Sequence, residues 1–66
     1  MRISVNGEPR EVHDGITVLE LLQTLSVMQA RVAVEVNAEV VRKARHAEHR
    51  LCEGDKIEVV TFVGGG

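Results

Sequence analysis

The chain has 66 residues, of which 44% are hydrophobic, and a formal net charge of -2. A chain this short forms one domain and buries only about 60% of the surface its unfolded form exposes, so a deep private catalytic pocket is not expected. Phe62 is the single aromatic residue and no basic excess exists, which argues against base stacking and against nucleic acid or an anionic membrane as partner.

The first element is "MRISV". Met1, Ile3 and Val5 alternate with Arg2 and Ser4, the period of a half-buried strand. Asn6-Gly7 is a hairpin turn signal, and "REV" at 10–12 reads as a short second strand. Pro9 cannot donate to a ladder, so this strand belongs at a sheet edge. Asp14-Gly15 then turns the chain. Val18, Leu21, Leu22 and Leu25 fall on one face of a helix, and Thr17 with Glu20 fits a capping box at its start. One apolar stripe needs one surface to pack on, and the sheet supplies it.

"RVAVEVN" returns to alternation, with Val32, Val34 and Val36 sharing a face. "NAE" turns and "VVR" is a short strand. "KARHAEHR" has no apolar period and reads as an exposed loop or a turn of helix. Leu51 is an anchor, and Gly54-Asp55 breaks the chain before a last strand, "KIEVVTFV". In that strand Ile57, Val59 and Thr61 share one face; Lys56, Glu58, Val60 and Phe62 share the other. With Ile57 and Val59 toward the helix, Val60 and Phe62 form an apolar patch on the open face, the mark of a contact site. The alternative is that Phe62 folds back over the core edge. The layout is α+β, a mixed sheet of four to five strands on one main helix, with residues 1–62 as the domain and 63–66 as a flexible Gly-rich tail.

The stretches "GITVLELL", "EVNAEVV" and "LCEGDKIEVVTFVGGG" resemble, in that order, the ThiS-type sulfur-carrier family of thiamin biosynthesis, over nearly the whole chain. The resemblance implies a ubiquitin-like β-grasp fold and a carrier rather than a catalyst. It implies that an adenylating enzyme of ThiF type, related to ubiquitin activators, uses ATP to adenylate the carboxylate of Gly66. Sulfur drawn from cysteine through a desulfurase then makes a thiocarboxylate, and a thiazole synthase of ThiG type accepts it. No cofactor is bound by the carrier itself. Gly65 is the partner of Gly66 in the tail motif, Gly64 lengthens it, and Val60, Phe62 and Val63 are the expected partner-binding residues. Look-alike carriers serve molybdopterin assembly and tRNA thiolation, and a ubiquitin-like modifier would share the Gly-Gly end.

Other residues carry weaker signals. Cys52 is the only cysteine, so no internal disulfide forms and a reducing cytoplasm is expected. As a persulfide it would be a rival sulfur carrier; the plainer expectation is a small buried or half-buried residue beside Leu51. The opening "MRISVNGEP" has no apolar leader core and no run is long enough to span a bilayer. His46 and His49 stand three apart, a spacing that can bring two imidazoles together, but no third ligand is evident; both, with His13, are expected on a solvated surface. Residues 31–50 hold five cations (Arg31, Arg42, Lys43, Arg45, Arg50) against three glutamates, a solvated or partner-steering face.

Overall fold

The computed structural model describes residues 1–62; Val63, Gly64, Gly65 and Gly66, read above as the tail, lie outside the described residues. Five strands are present: β1 (Arg2–Val5), β2 (Glu8–Glu11), β3 (Val32–Val36), β4 (Glu39–Val41) and β5 (Lys56–Thr61). One helix, α1 (Val18–Thr24), crosses them, and two short 3-10 turns occupy Gln29–Arg31 and Lys43–Arg45. The sheet order is β2-β1-β5-β3-β4, with β1 and β5 parallel at the centre and the other pairs antiparallel. This mixed sheet curled about one helix is the β-grasp layout the resemblance implies.

The first hairpin follows from its turn. Asn6 and Gly7 both take positive φ, 52° and 85°, the geometry whose twist matches two right-twisted strands. The turn makes Val5 and Glu8 the closing pair, so β2 begins at Glu8 rather than at Arg10, as the sequence suggested. Pro9 then falls opposite Ser4, at a position whose missing N–H would face outward from the sheet edge.

Helix α1 starts on both halves of the capping box. The Glu20 N–H donates to the Thr17 hydroxyl at 3.1 Å, and the Thr17 N–H donates to the Glu20 carboxylate at 3.0 Å. Val18, Leu21 and Leu22 are fully buried against Ile3, Val5, Val34 and Ile57 of the sheet, with Ile16 and Leu51 closing the core. Burying each such side chain stabilises by about 1.5–3 kcal/mol. The helix ends at Leu25, which is only half-buried, through Ser26 at φ 60°. The Val27 N–H reaches the Leu22 carbonyl (3.1 Å) and the Ser26 N–H the Gln23 carbonyl (3.1 Å), a Schellman closure with serine in the place glycine usually takes.

The segment after β4 corrects the sequence reading. His46 is not solvated: its relative exposure is 1%. Its Nε2 lies 3.0 Å from the Val41 carbonyl, which places the ring proton on Nε2. The segment also completes the helix start. The first free N–H groups of α1, on Val18 and Leu19, donate to the carbonyls of His49 and His46, each at 2.9 Å. A polar stretch without apolar period is thus held by backbone acceptors and one buried imidazole.

Candidate functional site

The face of the sheet away from α1 carries the candidate surface. Along β5, side chains alternate, so Ile57 is buried and Val59 half-buried while Val60 and Phe62 are 56% and 55% exposed. Phe62 does not fold back over the core: its N–H donates to the Arg31 carbonyl at 2.9 Å, and the side chain stays on the open face. Thr61 shares the inward face of the strand yet is exposed. The strand register sets Ala33 of β3 directly beside Val60, and Val40 of β4 beside Glu35. Val40 is 69% exposed, so the apolar patch spans three strands. The sequence reading missed Val40; its signal was the strand parity of "VVR", which turns Val41 inward and Val40 outward. The expected contact Val63 lies outside the described residues.

Charge is arranged around this patch. Glu35 and Glu58 stand directly opposite one another on β3 and β5, on the same open face. Like charges in that position are unfavourable, unlike the apolar pair Ala33–Val60 one step further on. On the other flank, Arg42 and Lys43 border a groove that also includes Ala33, Val40 and Phe62. The rest of the basic run is engaged elsewhere. Arg45 pairs with Glu48 at 3.5 Å, and Arg50 donates to the Gly15 carbonyl at 2.9 Å.

The other candidates separate from this surface. Cys52 is exposed, not buried or half-buried: Leu51 takes the inward position, and Cys52 opens a turn in which its N–H donates to Asp55 Oδ2 at 2.8 Å. His46 lies in the core while His49 is half-buried, so the pair does not present two imidazoles to a common site. His13 stays exposed, 3.8 Å from Glu20. Among the described residues no group of three His, Cys, Asp or Glu side chains is placed to hold a metal ion. No helix among them is long and apolar enough to cross a membrane. Gly64, Gly65 and Gly66 lie outside the described residues, which end at Phe62.

Comparison with known proteins adds to this geometry. The sequence profile described as the ThiS family matches residues 3–66. The chain is 33% identical to the sulfur carrier protein ThiS of Escherichia coli K12, over 100% of both chains. It is 44% identical over 66 residues to a thiazole synthase of Paramagnetospirillum magneticum. There it spans only 20% of that protein, and a second thiazole synthase, from Magnetococcus marinus, is covered to the same extent. The crystal structure of a thiamine biosynthesis protein (ThiS) from Geobacter metallireducens superposes with a TM-score of 0.84, at 39% identity and with 100% of both chains covered.

Proposed function

The chain belongs to the ThiS family, and on that premise we propose that it is a sulfur carrier of thiamin biosynthesis whose reacting group is the carboxylate of Gly66. The observation that carries this reading is the family match running through residue 66, at the end of a chain similar over its full length to a sulfur carrier protein. The open-face patch of Val40, Val60 and Phe62 supports it, because an apolar surface beside the exit of the chain suits enzymes that must grip the globule and reach the tail.

The chemistry follows from the carboxylate. Its negative charge repels nucleophiles, so it must be activated. A carboxylate oxygen of Gly66 attacks the α-phosphorus of ATP on an adenylating enzyme, and pyrophosphate leaves. The acyl adenylate is a mixed anhydride. A persulfide that the desulfurase makes from cysteine adds through its terminal sulfur to the acyl carbon and AMP departs; a thiol then cleaves the S–S bond of the resulting acyl disulfide, leaving the thiocarboxylate and releasing a disulfide. ATP is consumed by the enzyme and is no cofactor of the carrier. Glycine at 64–66 lets the backbone pass a narrow channel and adopt φ values closed to other residues.

Thiazole synthase is the proposed acceptor. Two thiazole synthases contain a stretch similar to this entire chain, which supports an acceptor of that kind. The cytoplasm, where ATP and cysteine desulfurases operate, is the proposed compartment.

Intact mass tests the reading. Incubation with the adenylating enzyme, ATP, a thiol reductant and a desulfurase with cysteine is expected to add the mass difference between one sulfur and one oxygen, located on Gly66 by fragmentation. Gly65→Ala is expected to keep the fold and lose that gain. A Gly66 carboxylate left unmodified under conditions that load another ThiS would overturn the proposal.

A further inference from the structure

The central strand β5 is not flanked along its whole length. Its even-numbered residues direct backbone N–H and C=O toward β3, as the Phe62 N–H to Arg31 carbonyl bond fixes. The odd-numbered residues therefore face the side of β1. There the Ile57 carbonyl accepts the Asn6 N–H at 2.8 Å. One step on, the chain has already turned away, and the Asn6 carboxamide replaces a strand: its oxygen accepts the Val59 N–H (2.8 Å) and its nitrogen donates to the Val59 carbonyl (3.2 Å). Thr61 is the next residue of that parity. Its N–H and C=O point past the tip of the first hairpin and have no partner among the described residues. The adjoining groove is lined by Leu25, Val27, Val59 and Thr61 together with the first hairpin, whose Glu8, Arg10 and Glu11 make it largely polar.

We propose that this open edge of β5 at Thr61 is a docking site for one extended segment of the adenylating enzyme, which adds to the sheet as a further strand. The inference rests on the function proposed above. A donor and an acceptor side by side on a strand edge are complementary to another backbone. Reach supplies the second reason. Gly66 is four positions beyond Phe62, so a fully extended chain puts it within roughly 13–14 Å. Whatever encloses the Gly66 carboxylate must therefore approach the end of β5, which brings its surface near Thr61. The added strand would set its side chains beside Leu25, Val27 and Val59 on one face and beside Val60 and Phe62 on the other. Its residues beside Leu25, Val27 and Val59 and those beside Val60 and Phe62 are therefore apolar, while its edge toward the first hairpin meets Glu8, Arg10 and Glu11. Pairing there fixes the direction in which the tail leaves the sheet, and so the register of Gly66 in the active site.

Two measurements on the full chain test this. In the first, the Thr61 amide is expected to exchange fast with solvent in the free protein and at least about tenfold slower in the complex with the adenylating enzyme, the scale of one hydrogen bond gained. In the second, Thr61→Pro removes the outward N–H at a position where an edge tolerates proline. It is expected to keep the melting temperature within a few degrees and to lower ATP–pyrophosphate exchange by about tenfold or more. Should Thr61→Pro unfold, the amide measurement on the wild type decides alone. An amide that stays fast in the complex, or a folded Thr61→Pro chain adenylated like wild type, overturns the inference and leaves the sulfur-carrier reading standing. An amide protected in the free protein in proportion to concentration also overturns it, because the occupant is then a second copy. A wild-type chain that supports no exchange at all overturns both.

Discussion

The side chain of Asn6 is hydrogen-bonded to both backbone groups of Val59, at 2.8 and 3.2 Å, and so lengthens the central parallel ladder by one step after β1 has ended. The same residue sits at φ 52° in the first turn. Asparagine meets both demands: it tolerates the left-handed region, and its carboxamide has a donor and an acceptor. Asn6→Ala is expected to lose about 1–3 kcal/mol, from two exposed hydrogen bonds and the strained turn. Asn6→Gly keeps the turn and isolates the bond loss; denaturant melts of the two variants are expected to rank Ala below Gly.

Ser26 closes α1 at φ 60°. Its backbone makes the Schellman bonds whatever the side chain, so Ser26→Gly removes the strain of a Cβ there. The expected gain is about 0.5–1 kcal/mol net of the added freedom of the unfolded chain. A higher melting temperature in calorimetry, with unchanged helix signal, is the outcome to look for.

At the other end of α1, Thr17→Ala removes the acceptor for the Glu20 N–H. The expected cost is about 1 kcal/mol. Glu20 itself titrates low, first because the Thr17 N–H donates to it; desolvation opposes this, and the nearby His13 adds a lesser lowering effect. A carboxylate with a lowered folded value stabilises above its ordinary pKa, and that contribution is lost as pH falls through the lowered one. Glu20→Gln is therefore expected to flatten the acid side of the stability profile, below the ordinary glutamate range, measured by urea titrations across that window.

His46→Ala leaves the Val41 carbonyl without its imidazole donor and opens a space in the core. A loss of about 2–4 kcal/mol is expected, from an unmade buried bond and a cavity together. Amide exchange is expected to rise first at Val18 and Leu19, whose N–H groups depend on the carbonyls of this segment.

Phe62→Ser and Val40→Ser alter exposed side chains. Thermal melts are expected to shift little, within about 0.5 kcal/mol. Affinity for the adenylating enzyme is expected to fall several-fold to about thirtyfold, as for an apolar contact of 1–2 kcal/mol. Calorimetric titration checks it.

Much of this architecture is legible in the chain. Alternation at Met1–Val5 and 32–36, the helical stripe of Val18, Leu21 and Leu22, the capping box and the Asn-Gly turn are local patterns, and each corresponds to a local geometry. The stretch 42–50 was not legible, because its role is carried by backbone carbonyls and one buried ring, and neither leaves a periodic trace. Cys52 misled for the opposite reason: composition favours burial, but the neighbouring Leu51 claims the inward place. The Schellman closure after Leu25 was hidden by Ser26, which does the work of a glycine without being one. Of the candidate surface, Val60 and Phe62 followed from strand parity, while the three-strand extent of the patch needed the register that puts Val40 next to Glu35. The opening beside Thr61 depends on where β1 stops relative to β5, a long-range relation no local window contains.

The parallel neighbours β1 and β5 have a mechanical corollary. A load applied to the amino end of β1 and the carboxyl end of β5 pulls the two strands in opposite directions along their length. The bonds of Ser4 to Asp55, Asn6 to Ile57 and the Asn6 carboxamide to Val59 then share the force in shear, where a hairpin would open one bond at a time. A globule tugged by its tail through a translocating or clamping machine would yield late and all at once.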